Sequence, residues 1–339
     1  MKELYPWQNE TWQHLQGLRN RLPNALLLKG AEGIGKLDLA LDYAQSILCE
    51  APSPSGFACQ TCPSCHWFLQ ESNPDFRLIQ PDALSALDDA PEKEGSKKAS
   101  KEITIDQIRG LSTFVNLSSH SGGYRVVVVY PAEAMNNNSA NALLKTLEEP
   151  TDKLLFILVS NKPQQLLPTI LSRSLSFAVP MPSVEISTAW LKKQGVSDPA
   201  TLLAQTGFAP LLALQWAGEG AGTEERKVML EAIKQTNRFD AIALAEQLQR
   251  AAPVQVIHFL QQWCYDLASY KQAGVIRYFP QYLDIIVKIS NGMTLQPLLR
   301  FIKDLQTAKR EAYHPLNPKL LFESILLAYQ QLLQPAKKA

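Results

Sequence analysis

The glycine-rich stretch between residues 30 and 37 restricts the fold of this chain more than any other feature. It reads Gly30-Ala31-Glu32-Gly33-Ile34-Gly35-Lys36-Leu37. An apolar run that predicts a buried strand precedes it at 25–28, and apolar residues at helical spacing follow it between 39 and 47. A strand, a glycine loop with a lysine, and a helix form a phosphate-binding P-loop, in which backbone N–H groups and the helix N-terminus hold the anion. The sequence therefore predicts a P-loop α/β domain with candidate phosphate-binding residues Gly30, Gly33, Gly35 and Lys36.

The groups that a P-loop needs to hold Mg²⁺ and to orient water are missing. The position after Lys36 should carry a Ser or Thr hydroxyl that ligates the metal, but it is Leu37. The predicted strand over 124–130 should end in Asp-Glu, but it runs into Tyr130-Pro131, and Glu133 lies out of register. Phosphoryl transfer depends almost entirely on positioning, so the sequence predicts no productive Mg-ATP site.

Four of the five cysteines share one short segment. Cys49, Cys59, Cys62 and Cys65 have the spacing C-x9-C-x2-C-x2-C. Two C-x2-C turns that share Cys62 place three thiolates within reach of one ion, and Cys49 can close the tetrahedron. Four sulfurs with no open position are typical of a structural zinc site rather than a catalytic one. We therefore predict that these four residues bind Zn²⁺, and that Cys264 is a core residue.

Composition and charge limit the remaining classes of function. The chain has 339 residues, 46% of them hydrophobic, and a formal net charge of +1. This length allows two or three domains. The near-neutral net charge does not indicate a dedicated DNA-binding domain, which usually carries a basic patch. The sequence predicts no membrane span, and its N-terminus lacks the apolar core of a signal peptide. We expect a cytoplasmic protein whose cysteines stay reduced.

Strands alternate with helices up to about residue 178, and beyond that point strands largely disappear. Apolar runs predict buried strands at 25–28, 76–79, 124–130, 154–159 and 175–179. This alternation indicates a parallel sheet flanked by helices. We predict three domains, namely a degenerate P-loop domain at 1–178 with a zinc module at 49–65, a small helical lid at 179–218, and an all-helical C-terminal domain at 219–335.

Several local signals predict where elements begin and end. An amphipathic helix is expected within 1–24, and residues 82–102, which have few large apolar side chains, predict a mobile surface insert. Thr104 and Gln107 have the spacing of a capping box. The other predicted N-caps are Asn137 or Asn138 for a helix over 140–149, Thr294 for a helix that begins near 295, and Asn317 for the last helix.

Three stretches of the first domain carry a resemblance to a known family. They are NALLKTLEEP at 141–150, SNKP at 160–163 and LPTILSRS at 167–174. These stretches, with Pro6-Trp7-Gln8 and the four cysteines, resemble the clamp-loader branch of the AAA+ ATPases. The resemblance extends to residues 316–321 and so covers the whole chain. Together with the missing ATP motifs, it is closest to a non-hydrolysing subunit of the bacterial DNA polymerase III clamp loader.

The resemblance implies a role in trans for Arg173. Ser172-Arg173 matches the family's Ser-Arg-Cys motif, with Ser174 in place of the cysteine. In that family this arginine reaches across a subunit junction to the ATP held by a neighbouring motor subunit. A guanidinium is always charged and can neutralise charge that develops on the γ-phosphate. Such an arginine finger is typically worth about 10³–10⁵ in rate.

The resemblance also implies partners and the fate of other nucleotide contacts. The expected partners are the delta subunit and the gamma or tau subunits, with which the chain forms a hetero-oligomer. Its C-terminal helices are expected to join a collar with those of the related subunits. The sliding clamp and primed DNA are expected to be reached through the complex. Ser160 and Asn161 fall at a nucleotide-sensing strand end, and Pro210 falls where active relatives have a second sensor arginine. Glu148 and Glu149, on the helix over 140–149, are expected to lie on a solvated face or to make contacts within the N-terminal domain.

Two alternatives from other classes remain. An autonomous ATPase would tolerate Leu37 and recruit Glu133, and it would hydrolyse Mg-ATP as an isolated chain. A zinc-dependent nucleic-acid-binding module would show salt-sensitive DNA affinity through local Lys or Arg. Residues 49–72 contain neither Lys nor Arg, which counts against the second alternative.

Overall fold

The computed structural model describes residues 4–85, 100–117, 119–120, 122–149, 151–218, 224–235, 238–312 and 317–333. The chain divides into two compact units, Met1–Ile186 and Ser187–Ala339. The division into three domains, with boundaries after residues 178 and 218, stays a prediction. Most of the predicted insert at 82–102 lies outside the described residues.

The first unit contains a parallel sheet of five strands. They are β1 (Ala25–Lys29), β2 (Phe76–Ile79), β3 (Arg125–Val129), β4 (Leu154–Ser160) and β5 (Leu175–Ala178). Their order is β2-β3-β4-β1-β5, and every neighbouring pair is parallel. All five predicted strands are confirmed. The strand that leads into the glycine loop is therefore an interior strand, paired with β4 on one side and β5 on the other.

Helices cover both faces of this sheet. They are α1 (Asn9–Gly17), α2 (Lys36–Leu48), α3 (Pro63–Leu69), α4 (Asp82–Ser85), α5 (Ile105–Asn116), α6 (Asn137–Glu148) and α7 (Pro168–Arg173). Along β3, Val127 and Val129 belong to a core with α5, α6 and α7, while Val126 and Val128 belong to a core with α1 and α2. Burial on both faces explains why the predicted strands show no alternation of apolar and polar residues.

The local signals were confirmed in part. Thr104 caps α5 with a complete capping box, in which the Thr104 hydroxyl accepts from the Gln107 amide and the Gln107 side chain accepts from the Thr104 amide. The cap predicted for α6 was wrong: it is Asn136, whose Oδ1 accepts from the Ser139 amide at 2.9 Å, because the helix begins three residues earlier than predicted. Helix α1 begins only at Asn9, after a 3-10 turn over Pro6–Gln8.

The described residues of the second unit form helices and the loops between them, with no strand among them. Its helices are α8 (Val184–Lys193, which begins in the first unit), α9 (Pro199–Gln205), α10 (Pro210–Gly218), α11 (Glu224–Lys234), α12 (Ala241–Gln247), α13 (Pro253–Ala273), α14 (Leu283–Gly292), α15 (Leu295–Glu311) and α16 (Pro318–Leu333). Thr294 precedes α15 as predicted, but its side chain makes no capping hydrogen bond. Asn317 caps α16 through a 3.0 Å hydrogen bond from the Lys319 amide.

The helices of the second unit pack into two separate cores. Helices α8 to α10 surround a small cluster that includes Leu191, Leu203 and Ala213. Helices α11 to α16 surround a larger one, in which the Trp263 indole N–H donates to the Tyr329 hydroxyl at 2.9 Å. Cys264 is fully buried in this larger core, as predicted. None of the helices in the described part of the chain combines the length and the apolar character that a membrane span requires.

A buried carboxylate orders the loop after α13. Asp266 is fully buried, and its oxygens accept hydrogen bonds from the backbone amides of Arg277, Tyr278 and Phe279 at 2.7–2.9 Å. Asp266→Ala leaves three backbone donors, of which that of Phe279 is buried, without their charged acceptor, so we expect the free energy of unfolding to fall by roughly 3–5 kcal/mol. Urea denaturation of the whole chain measures this loss. Asp304→Ala, at an exposed position of α15, is the matched control and should change stability little; equal losses in both variants would contradict the anchoring role.

Candidate functional site

The glycine loop connects β1 to α2 at the carboxyl edge of the sheet. Gly33 and Gly35 have positive φ angles of 74° and 80°. At Gly35 a side chain is excluded twice, because an added Cβ would also lie 2.5 Å from the Tyr5 ring. At Gly30 an added Cβ would lie 2.6 Å from the Val179 carbonyl oxygen. Backbone conformation and close packing within the chain therefore account for these glycines without any phosphate.

The segment before α1 lies against the glycine loop. The Trp7 indole N–H donates to the Ile34 carbonyl at 2.9 Å, and the Gln8 side-chain amide donates to the carbonyl of Gly35 at 2.6 Å. Gln8 is fully buried there. The Tyr5 hydroxyl donates to the Asp38 carboxylate at 3.3 Å. These contacts join the N-terminal segment, the loop and the first turn of α2 into one packed structure.

The lysine of the loop is turned back on its own backbone. Lys36 is only 3% exposed, and its Nζ atom donates to the carbonyl oxygen of Ala31. Burial lowers the pKa of the Lys36 ammonium to about 8, while the nearby carboxylates of Glu133 and Glu32 act to raise it. The lysine of this loop therefore already has an oxygen partner and faces negative charge.

Glu133 contacts the end of β4, which its position in the sequence did not predict. Its carboxylate oxygens accept from the backbone amide of Asn161 at 3.0 and 3.3 Å, just after the end of β4. The Asn161 side chain hydrogen-bonds to Tyr130, and burial raises the pKa of that phenol. Ser160 ends β4 and is buried, and its hydroxyl accepts from the Lys162 amide. The ends of β3 and β4 are thus linked to each other through these side chains.

The four predicted zinc ligands come together in one cluster. The sulfurs of Cys49, Cys59, Cys62 and Cys65 all lie within 4.8 Å of one another. The Cys49–Cys62 and Cys59–Cys65 sulfur pairs are each 4.0 Å apart. A zinc ion with Zn–S bonds of about 2.3 Å in a tetrahedron places its sulfurs about 3.8 Å apart, so the cluster fits that ion.

The backbone around the cluster also suits thiolate ligands. Amide N–H groups of residues 59, 62 and 65 donate to the sulfurs of Cys49, Cys59 and Cys62 at 3.2–3.4 Å. Hydrogen bonds from Thr61 lower the pKa of the Cys59 thiol to about 5. Cys49 ends α2 and Cys62 caps α3, so two helix ends present the ligands. The four sulfurs could hold a metal ion such as zinc.

Arg173 lies at the surface, at the last residue of α7. Its guanidinium pairs with the Glu148 carboxylate through Nη2 and Oε1 at 2.8 Å, and its Nη1 donates to the Thr169 carbonyl at 3.2 Å. The side chain remains 36% exposed. Ser174, next in the chain, is buried, and its hydroxyl donates to the Ile170 carbonyl at 2.9 Å. A serine can therefore end this helix where the family has cysteine, and the guanidinium next to it stays accessible.

Sequence patterns missed three features of these sites. They did not predict the contacts of Trp7 and Gln8 with the loop, the bond between Glu133 and Asn161, or the Glu148–Arg173 ion pair. Glu148 lies on an exposed helix end, as expected, and its carboxylate forms an ion pair there with the Arg173 guanidinium. Pro210 is buried as the first residue of α10, so this position presents no cationic side chain.

A five-stranded parallel sheet with a glycine loop at its carboxyl edge, followed by helical packing, defines a P-loop protein of the AAA+ type. The model of a family described as DNA polymerase III, delta subunit, matches residues 7–182. A second model, described as the C-terminal part of the DNA polymerase III delta subunit, matches residues 221–331.

Relatives of known sequence agree with both matches. The chain is 39% identical over 238 residues to DNA polymerase III subunit delta-prime of Pseudomonas aeruginosa, which covers 69% of this chain and 67% of the relative. It is 28% identical over 322 residues to the delta-prime subunit of Haemophilus influenzae, covering 92% and 91%. A solved gamma subunit-related protein from Thermotoga maritima aligns over 95% of this chain and 99% of its own, with 19% identity and a TM-score of 0.44. The family models and the delta-prime relatives show that the chain belongs to the family of DNA polymerase III delta-prime subunits.

Proposed function

We propose that the chain is a non-hydrolysing subunit of a DNA polymerase III clamp loader that completes the ATP site of a neighbouring motor subunit. In this role it assembles in the cytoplasm with delta and gamma or tau subunits, and the complex places the sliding clamp on primed DNA. The chain contributes a scaffold and the guanidinium of Arg173. It belongs to a polymerase holoenzyme without carrying out a reaction of its own.

The observation that carries this proposal is the contrast between two cations. Lys36, which an active P-loop uses on phosphate, is buried and bonded to Ala31 within its own loop. Arg173 is exposed at a helix end, with its guanidinium at the surface. A buried, internally bonded lysine supports a structural role, and an exposed planar cation supports a contact with phosphate held by another chain.

The charges around the loop support the same assignment. The carboxylates of Glu32 and Glu133 act on Lys36, and each would repel the phosphates of ATP. Leu37 provides no hydroxyl for Mg²⁺, and Tyr130 stands where a metal-binding carboxylate would be needed. With no ligand to hold the metal and with added negative charge, the loop is best described as a structural turn.

Lys36→Met tests whether the loop has a catalytic role. The variant keeps the apolar stem of the side chain and removes the ammonium. We expect clamp- and DNA-stimulated ATP hydrolysis by the reconstituted complex to stay within about twofold of the unmodified complex, because this lysine touches no reacting phosphate. Steady-state turnover measures it. A collapse of turnover, or Mg²⁺-dependent hydrolysis by the isolated chain, would support the autonomous ATPase instead.

A zinc ion in the cysteine cluster would have a structural role. Cys49, Cys59, Cys62 and Cys65 would hold it, and its four Zn–S bonds would cross-link the end of α2 to the start of α3. No ligand position would remain open for water or substrate, so we assign no chemistry to this site.

A further inference from the structure

The guanidinium of Arg173 is oriented by two groups of its own chain. The Glu148 carboxylate contacts Nη2 at 2.8 Å, and the Thr169 carbonyl accepts from Nη1 at 3.2 Å. A guanidinium has five N–H donors in one plane. Contacts at both terminal nitrogens fix the direction of that plane, and the remaining donors can serve an acceptor on another molecule.

The position of Glu148 gives its own helix no advantage. It is the last residue of α6, where a carboxylate meets the negative end of the helix dipole. Its side chain is half exposed, so it adds nothing to the core. The favourable interaction that the described residues show for this side chain is the ion pair with Arg173, a cation at the C-terminal end of α7.

The contact also has a clear function if Arg173 acts in trans. A free arginine at a surface samples many rotamers, and fixing it when two subunits meet costs part of the binding free energy. A side chain that is already held avoids this cost. The carboxylate also attenuates the positive charge, but both groups are exposed, and water screens that attraction strongly. We therefore expect the benefit of a fixed guanidinium orientation to outweigh the partial neutralisation of its charge by Glu148.

We propose that Glu148 is a positioning residue, which orients Arg173 toward the phosphate of an ATP bound by the neighbouring subunit. This inference rests on the proposed function of Arg173. Glu148 itself touches no substrate and acts only through the guanidinium. Its contribution is accordingly smaller than that of the arginine, and it depends on the arginine being present.

A double-mutant cycle in the reconstituted complex tests this role. Glu148→Ala should lower clamp- and DNA-stimulated hydrolysis at the one ATP site that Arg173 serves by about 3- to 10-fold, the factor expected from releasing one long side chain, so total turnover should fall by less than it does in Arg173→Ala. Glu148→Gln keeps an acceptor oxygen at the same place and should restore most of the activity. In an Arg173→Ala background, Glu148→Ala should cause no further loss, because the group that it orients is absent.

Glu149→Ala is the matched control, since Glu149 follows Glu148 directly and is exposed. It should leave turnover unchanged, and the melting temperature of the isolated chain should move by less than about 2 °C in every Glu148 variant. Unchanged or faster turnover in Glu148→Ala, or an equal loss in the Arg173→Ala background, would overturn the positioning role. Unaltered turnover in Arg173→Ala alone would overturn the proposed function as well.

Discussion

Replacing Arg173 by alanine is expected to reduce ATP hydrolysis at the one site that it serves by about 10³-fold or more, which is the range typical of an arginine finger. The side chain is exposed and belongs to no buried core, so the chain itself should fold normally. The loss arises because charge that develops on the γ-phosphate would lack its planar cation. This loss is measured as clamp- and DNA-stimulated ATP hydrolysis by a complex reconstituted with unmodified motor subunits. Total turnover by the complex should fall by the fraction that this one site contributes.

Two further variants separate the finger from a general surface effect. Arg173→Lys keeps the charge but loses the planar fork, so it should recover only part of the activity. Arg109→Ala removes an exposed arginine from α5 of the same unit and should leave turnover unaltered. If Arg173→Ala and Arg109→Ala behave alike, Arg173 does not act on the neighbouring nucleotide.

Loss of the metal site is expected to have the largest effect on local structure. Purified chain should carry about one zinc per molecule, and Cys65→Ser should lose most of it. Structural zinc sites in small peptides contribute apparent binding free energies of about 10–16 kcal/mol, which here would stabilise residues 49–69. Amide hydrogen exchange in this segment should therefore rise toward the rate of an unfolded chain, while the strands of the sheet keep their protection.

Elemental analysis and hydrogen exchange together test this prediction. Cys264→Ala is the matched control, because Cys264 is the one cysteine of the sequence outside the cluster and is buried among the helices of the second unit. It should keep its zinc even if it loses stability. A well-folded preparation without metal, or equal zinc content in Cys65→Ser, would contradict a four-cysteine zinc site.

Most of the fold could be predicted because its signals are local. An unbroken apolar run such as 126–129 specifies a strand buried on both faces, and the structure confirms this assignment. Thr104 and Gln107 lie three residues apart, so their capping box could be identified from spacing alone. The cap of α6 was misplaced because residues 136, 137 and 138 are all asparagine, and composition does not say which one precedes the first turn.

The cysteine cluster could also be predicted from the sequence, whereas the partners of charged residues could not. Three of the cysteines lie within seven residues of chain, so short-range geometry nearly brings them together without help from the rest of the fold. Glu148 and Arg173 are separated by β4, and no spacing rule connects them. Their contact exists because α6 and α7 pack on the same face of the sheet.

The glycine loop also shows this difference between what local sequence predicts and what packing determines. Its sequence alone established a strand–loop–helix unit and the absence of the metal-binding hydroxyl at Leu37. Only the tertiary structure shows which groups surround the Lys36 ammonium, because the Ala31 carbonyl comes from the turn of the loop and Glu133 comes from the segment after another strand. A residue type defines which interactions are available to a side chain, and the packing of distant segments selects the one that forms.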